Sequence, residues 1–281
     1  MKAKTSYIFI IAHPDDETMF FLPTLYNLIY KCHKSKRSDA SDSDTFHILC
    51  LSNGNYDGLG AKRTEELHCA SKLISPSIHV TVLNNPELQD GPMEKWPKKC
   101  VANVMTEFLE RHFAPQSDDH EQSNLVLLTF DAGGVSGHAN HIDTYHGLSH
   151  FYYLMKETNG VTSEKRLQDL NQTINLQLMV LETIYNPIMK YFPPFGLLYI
   201  FLTIILERRS SGHGISNSVT TKQYYMFQPH LVWSAMKAHY TQFVWYRRLF
   251  VIFSCYSYIN TIRTVDVYPN EAANKAKIKL T

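Results

Sequence analysis

The chain has 281 residues, with 27 Lys and Arg against 26 Asp and Glu and a formal charge of +1. It therefore carries neither a global basic field for nucleic acid nor an acidic one for cationic partners. With 44% hydrophobic residues it can bury a core without disulfides or a structural metal, which excludes a disordered chain.

Residues 6–12 (SYIFIIA) show no polar alternation after their start, the pattern of a strand buried on both faces. The apolar run here is too short for a signal segment or a membrane span. Residues 17–31 then place Phe20, Phe21, Leu25, Leu28 and Ile29 at helical spacing. The cycle repeats: strand 46–52, helix 61–74, strand 78–83, helix 98–113, strand 125–130, helix 140–155 and strand 176–183. Strands alternating with helices predict an α/β fold, a Rossmann-like, mostly parallel sheet with helices on both faces. Residues 34–44 and 115–123 read as polar surface insertions. The rhythm breaks at Asn186-Pro187 and Phe192-Pro193-Pro194. The length fits one domain, 1–281, whose part from about residue 186 onward is rich in aromatics. The cysteines, Cys32, Cys50, Cys69, Cys100 and Cys255, are scattered without a Cys-x-x-Cys pair, as in a reducing compartment.

Open parallel sheets hold ligands outside the carboxyl ends of their strands, and two polar clusters stand there. The first strand runs into Ala12-His13-Pro14-Asp15-Asp16-Glu17, one imidazole and three carboxylates in a tight turn. His13 and Asp16 can converge on one metal while Asp15 points elsewhere. The second cluster, residues 131–143, follows the strand 125–130 and contains Gly133, Gly134 and Gly137, then His138 and His141. Histidines at i and i+3 of a first helical turn lie on one face. His13 and Asp16 with a histidine of the second cluster make three nitrogen and oxygen ligands with an open position, the composition of a catalytic zinc site.

The motifs AHPDDE (12–17) and GHANH (137–141) resemble the LmbE/PIG-L-type zinc de-N-acetylases. The stretch 51–67, the Leu88-Gln89-Asp90-Gly91 segment and the late Gln242-x-x-Trp245-Tyr246-Arg247 are most similar to the eukaryotic N-acetylglucosaminyl-phosphatidylinositol de-N-acetylases within that family. The resemblance implies Zn2+ on His13, Asp16 and His141, with other divalent transition metals as substitutes. It implies Asp15 as the general base and His138 as an off-metal partner of the reacting carbonyl. Bacterial relatives often carry Asp where this chain has Asn140, so the resemblance leaves Asp131 or Asp143 to tune His138. It also implies the glycolipid N-acetylglucosaminyl-phosphatidylinositol as substrate, an early step of GPI anchor synthesis, and a membrane surface as partner at the cytoplasmic face of the endoplasmic reticulum. It names no protein partner. The rival readings are a soluble deacetylase of a small N-acetylglucosaminide and a glycolipid-binding module without turnover.

Arg63 follows a glycine-rich loop and is the candidate for substrate hydroxyls or the inositol phosphate, since a guanidinium fork matches phosphate oxygens. Asn53, Asn55 and Asp90 are candidates for sugar hydroxyls. The apolar run 195–206, followed by Glu207-Arg208-Arg209, is short for a span and fits an interfacial segment. A second aromatic and basic stretch covers 240–262.

Overall fold

In the computed structural model β1 (Thr5–Ile11) is sealed on both faces, with Ile8 through Ala12 fully buried. The model describes residues 4–35, 44–113, 123–157, 170, 174–192, 194, 198 and 220–265. After β1 come a widened π turn (Glu17–Phe21) and α1 (Leu22–Ser35), β2 (Thr45–Cys50), α2 (Gly60–Ile74) and β3 (Ile78–Val82). The chain continues through α3 (Lys98–Phe113), β4 (Ser123–Phe130), the single distorted turn α4 (Gly134–Gly137), α5 (Ala139–Glu157) and β5 (Ile174–Leu181). Its last described part holds α6 (Pro187–Tyr191), β6 (Thr221–Tyr225), α7 (Pro229–Ala238), α8 (Trp245–Phe253) and β7 (Ile259–Thr264).

The strands form a seven-stranded sheet in the order β3-β2-β1-β4-β5-β7-β6. The first five pair in parallel, as expected from alternating strands and helices. From β1 the chain builds outward through β2 to β3, then returns to lay β4 on the other side of β1. Crossovers on either side of β1 open a crevice at the carboxyl ends of β1 and β4, the switch point where such sheets bind ligands. Both polar clusters follow those two strands.

The aromatic C-terminal part also completes the sheet, which the sequence pattern did not anticipate. β7 pairs antiparallel with both β5 and β6. Asn260 in β7 is fully buried and ties this strand to α1: its side-chain oxygen accepts from the Thr24 N–H (3.1 Å) and hydroxyl (2.7 Å), and its Nδ2 donates to the Phe20 carbonyl at 2.8 Å. The stretch 240–262 therefore divides between roles. Val251, Cys255, Tyr256, Ile259 and Ile262 are buried, while Trp245, Tyr246, Leu249, Ile252 and Phe253 are exposed. The run 195–206 lies outside the described residues except for the exposed Leu198. Among the described residues no helix is long and apolar enough to cross a membrane.

Candidate active site

The turn after β1 is folded back by its own carboxylate. Asp16 Oδ2 accepts the N–H groups of Ala12 (3.1 Å) and His13 (2.8 Å). Asp15 then adopts φ 127°, a left-handed value that costs a non-glycine residue on the order of 1–3 kcal/mol. Glu17 holds it there: its Oε2 accepts the Asp15 N–H at 3.2 Å, and the Asp15 carbonyl accepts from Thr18 (3.2 Å) and Met19 (2.9 Å). Glu17 is fully buried and meets the fully buried His239 at 2.7 Å. Burial alone would push the His239 pKa down; Glu17 beside it, aided by Asp15 and Glu66, holds it above the ordinary value.

The turn after β4 is strained in a similar way. Gly134 (φ 60°) and the β-branched Val135 (φ 60°) both take left-handed backbone values. Asp131, rather than reaching His138, accepts the Gly133 N–H (3.0 Å) and the N–H and hydroxyl of Thr183. The turn brings the Gly134 carbonyl to 3.0 Å from His141 Nδ1. A carbonyl can only accept, so Nδ1 carries the proton and Nε2 is left as a lone pair, 3.2 Å from Asp16 Oδ1. Phe130 stacks flat on the same ring, with centroids 4.0 Å apart.

His13 is fixed by the same logic. Its Nε2 lies 3.0 Å from Asp90 Oδ1 and 3.1 Å from Asn140 Oδ1, two acceptors that place the proton on Nε2. Nδ1 is then free, 3.7 Å from Asp16 Oδ2. Burial acts to lower the His13 pKa, but Asp90, Asp16 and Asp15 hold it above the ordinary value. Burial likewise acts to raise the Asp16 carboxyl, yet the facing His141 and His13 hold it well below the usual carboxylate range. In the neutral tautomers that these partners select, one unprotonated nitrogen of each ring faces an Asp16 oxygen. This donor set fits a divalent transition metal, and its outer partners, a carboxylate and a backbone carbonyl, are those that orient histidine ligands.

His138 completes the cluster. One ligand atom from each of His13, His138 and His141 lies within 4.8 Å of the others, so a second, all-histidine set overlaps the first. His138 Nδ1 accepts the Asn140 N–H at 3.3 Å, which puts its proton on Nε2 and makes it a donor. Burial, then His13 and His141, push its pKa down to about 4, so the ligand-free ring is neutral. Neither carboxylate expected to tune it is in place: Asp143 accepts the Trp96 N–H at 2.9 Å instead. Asn140, whose side-chain Nδ2 donates to the Glu94 carbonyl at 3.1 Å, serves His13 through its side chain and His138 through its backbone.

Of the residues expected to bind substrate, Arg63 and Asp90 touch the cluster, while Asn53 and Asn55 lie at the start of α2. Arg63 is buried, donating to Asp90 (3.1 Å) and to the carbonyls of Gly54 (3.0 Å) and Pro14 (3.1 Å). Its Nη1 and Nη2 donors are thus taken up within the protein. It does not pair with Glu66, which accepts from Thr241 N–H and hydroxyl. Gly54, with φ 70°, leaves the space that Arg63 occupies; a Cβ there would come within 2.5 Å of its guanidinium. Asp90 bridges His13 and Arg63 rather than facing a sugar. Asn55 Oδ1 accepts the first N–H of α2, from Gly60, at 2.8 Å, and Asn53 lies against the same glycine.

One contact came from no spacing argument. Arg247, of the late motif, donates from Nη1 to Asp15 Oδ2 at 2.6 Å and to the Gln242 side chain at 2.6 Å.

A doubly crossed α/β sheet carrying paired histidine and aspartate clusters at its switch point defines the class of LmbE-like hydrolases. Residues 8–152 match the PIG-L family, described as GlcNAc-PI de-N-acetylase, and the chain belongs to that family. It is 31% identical, over 93% of this chain and 87% of the other, to a protein of Schizosaccharomyces pombe named "Probable N-acetylglucosaminyl-phosphatidylinositol de-N-acetylase". To the Bos taurus protein named N-acetylglucosaminyl-phosphatidylinositol de-N-acetylase it is 27% identical, over 91% of this chain and 81% of that one. The fold is shared with N,N'-diacetylchitobiose deacetylase from Pyrococcus horikoshii, with TM-score 0.55, 15% identity, and coverage of 97% of this chain and 89% of the other. The chain is a hydrolase.

Proposed function

We propose that this chain removes the acetyl group from N-acetylglucosaminyl-phosphatidylinositol, giving glucosaminyl-phosphatidylinositol and acetate in GPI anchor synthesis, with zinc as its resident metal. The observation that carries this reading is the meeting of His13, Asp16 and His141 around one volume, with His138 at its rim and Asp15, beside Asp16 in the same turn, near enough for its charge to act on His13. His13 and His141 each present an unprotonated nitrogen beside Asp16, whereas His138 presents N–H; this favours His13, Asp16 and His141 as the holders of the metal. When bound there, zinc supplies Lewis-acid polarisation of water and of the acetamide carbonyl.

The remaining steps belong to the side chains. Asp15, fixed in a strained turn, takes the proton of the attacking water, and the C–O bond forms as the carbonyl becomes a tetrahedral oxyanion. His138 donates its Nε2–H to that oxyanion, a role a neutral imidazole fills. The C–N bond then breaks, and the proton held by Asp15 goes to the departing sugar amine. Arg63 and Asp90 act as positioning residues.

A glycolipid is favoured over a small soluble N-acetylglucosaminide by the exposed apolar face of α8, where Trp245, Tyr246, Leu249, Ile252 and Phe253 lie open. Such a face suits the membrane interface, which here is the cytoplasmic surface of the endoplasmic reticulum. The test is to incubate purified protein with N-acetylglucosaminyl-phosphatidylinositol, with chelator, and with chelator followed by zinc, assaying acetate. Turnover lost to chelator and restored by zinc is expected; full turnover in chelator overturns the metal-dependent reading.

A further inference from the structure

α8 opens directly beside the candidate base. Its apolar residues Tyr246, Leu249, Phe250 and Phe253, with Tyr191 of α6, line an open groove of about 460 Å3. Arg247 is the single charged residue in this lining, and its Nη1 touches Asp15. Met19, whose N–H bonds to the Asp15 carbonyl, lines the same groove. The groove thus begins where the hydrolytic cluster ends.

Arg247 is only partly engaged. Among the described residues all its hydrogen bonds run through Nη1, to Asp15, to the Gln242 side chain and to the Gln242 carbonyl. The Nε and Nη2 donors, which form the flat two-donor edge of the guanidinium, have no partner among those residues. That edge matches two oxygens of one phosphate. An apolar groove with one cation at its inner end complements an amphiphile whose anionic group sits between an apolar tail and a polar head. A neutral sugar would not use the charge, and a free inorganic anion would not use the aromatic walls.

Resting on the glycolipid reading above, we propose that Arg247 and the α8 groove form an anchoring subsite. The free edge of Arg247 takes the phosphodiester oxygens, and Tyr191, Tyr246, Leu249 and Phe253 cover the lipid portion next to it. Anchoring the phosphodiester beside Asp15 sets how far the N-acetyl sugar reaches into the histidine cluster. Substrates are selected by the charge and apolar group that follow the sugar as well as by the sugar.

Three substrates separate these contributions: N-acetylglucosaminyl-phosphatidylinositol in detergent micelles, the same head group as a glycerophosphodiester without acyl chains, and neutral N-acetylglucosaminyl-inositol. Any loss that Arg247→Gln causes through Asp15 is common to all three and divides out of their ratios. The variant is expected to lower kcat/KM for both phosphodiesters, relative to the neutral substrate, by about 10–100-fold, the scale of a charge-assisted pair. Arg247→Lys, which keeps charge without the fork, falls between. Leu249→Asp lowers kcat/KM for the acylated substrate at least ten times more than for the two without acyl chains, on the scale of one buried apolar side chain. Equal losses on all three substrates overturn the proposal. Binding of short-chain phosphatidylinositol micelles, read by Trp245 fluorescence, separates the two readings: binding lost in Arg247→Gln but present in the wild type supports the subsite even if no substrate turns over, and absent binding in the wild type overturns it even if one does.

Discussion

Asp90 stands between a candidate metal ligand and a buried arginine, with Oδ1 3.0 Å from His13 Nε2 and Oδ2 3.1 Å from Arg63 Nη1. This geometry makes it the outer partner that keeps His13 in the tautomer with a free Nδ1. Losing such a partner lowers metal affinity by roughly 10–100-fold. Asp90→Ala should therefore lose zinc to a competing chelator at correspondingly lower chelator concentrations, with KM for substrate little changed once zinc is in excess. A raised KM with normal zinc retention would return Asp90 to the sugar-binding role its sequence position suggests.

Asp15 and His138 are expected to separate chemistry from metal retention. Asp15→Asn keeps the shape of the side chain and the Arg247 contact through its oxygen but cannot take a proton. Turnover should fall on the order of 10²–10⁴-fold while zinc content stays near one per chain. His138→Ala removes an N–H donor outside the proposed ligand set and should lose on the order of 10²–10³-fold in kcat, again with zinc retained. If His138→Ala loses zinc and Asp16→Ala does not, the metal sits in the all-histidine set instead.

The meeting of the two turns was legible because each is local. His-Pro-Asp-Asp and His-x-x-His bring their groups together within a few residues, and the strands before them are continuous apolar runs. The helix over 98–113 appears with the bounds its periodicity indicates, and β1 within one residue. What supports the site is different in kind. His239 meets Glu17 across 222 residues and Arg247 meets Asp15 across 232, and no spacing encodes such pairs. β7, with sequence INTIRT, was missed because its second residue, the buried Asn260, looks polar until Thr24 and the Phe20 carbonyl are seen to satisfy it. The partners of Arg63 were hidden for a related reason: a guanidinium after a glycine-rich loop looks available for anions, and only the folded positions of Asp90, Gly54 and Pro14 show it engaged.

Part of the acid sensitivity should arise away from the active site, beside the share that His138 carries. His47 of β2 stacks on His79 of β3, with ring centroids 5.0 Å apart. Burial, then His79, His112 and Lys4, push the His47 pKa down from 6.5 to about 4. The unfolded chain therefore binds a proton that the folded chain resists between these values, and stability rises with pH across that window. The contribution is fully present above about pH 6.5 and is lost as pH falls toward 4. His47→Gln should flatten the slope of denaturant stability between pH 6.5 and 4. An unchanged slope would mean that other groups carry the acid response.

Packing between α3 and α5 depends on a missing side chain. A Cβ built on Gly147 would lie 2.3 Å from Val101 Cβ and 2.5 Å from its Cγ1, far inside van der Waals contact. Alanine would ordinarily stabilise a helix interior by about 1 kcal/mol over glycine. Here the inserted methyl must push two packed helices apart, an overpacking cost of about 1–3 kcal/mol. Gly147→Ala should therefore lower the melting temperature, by roughly 2–4 °C for each net kcal/mol in a chain of this size, measured by circular dichroism. Val101→Ala in the same chain removes the γ-methyl clashes but leaves Cβ, so it should recover part of the loss and make the two changes non-additive. A rise in melting temperature on Gly147→Ala alone would show that the helices can separate at no cost and that the close approach is not required by the fold.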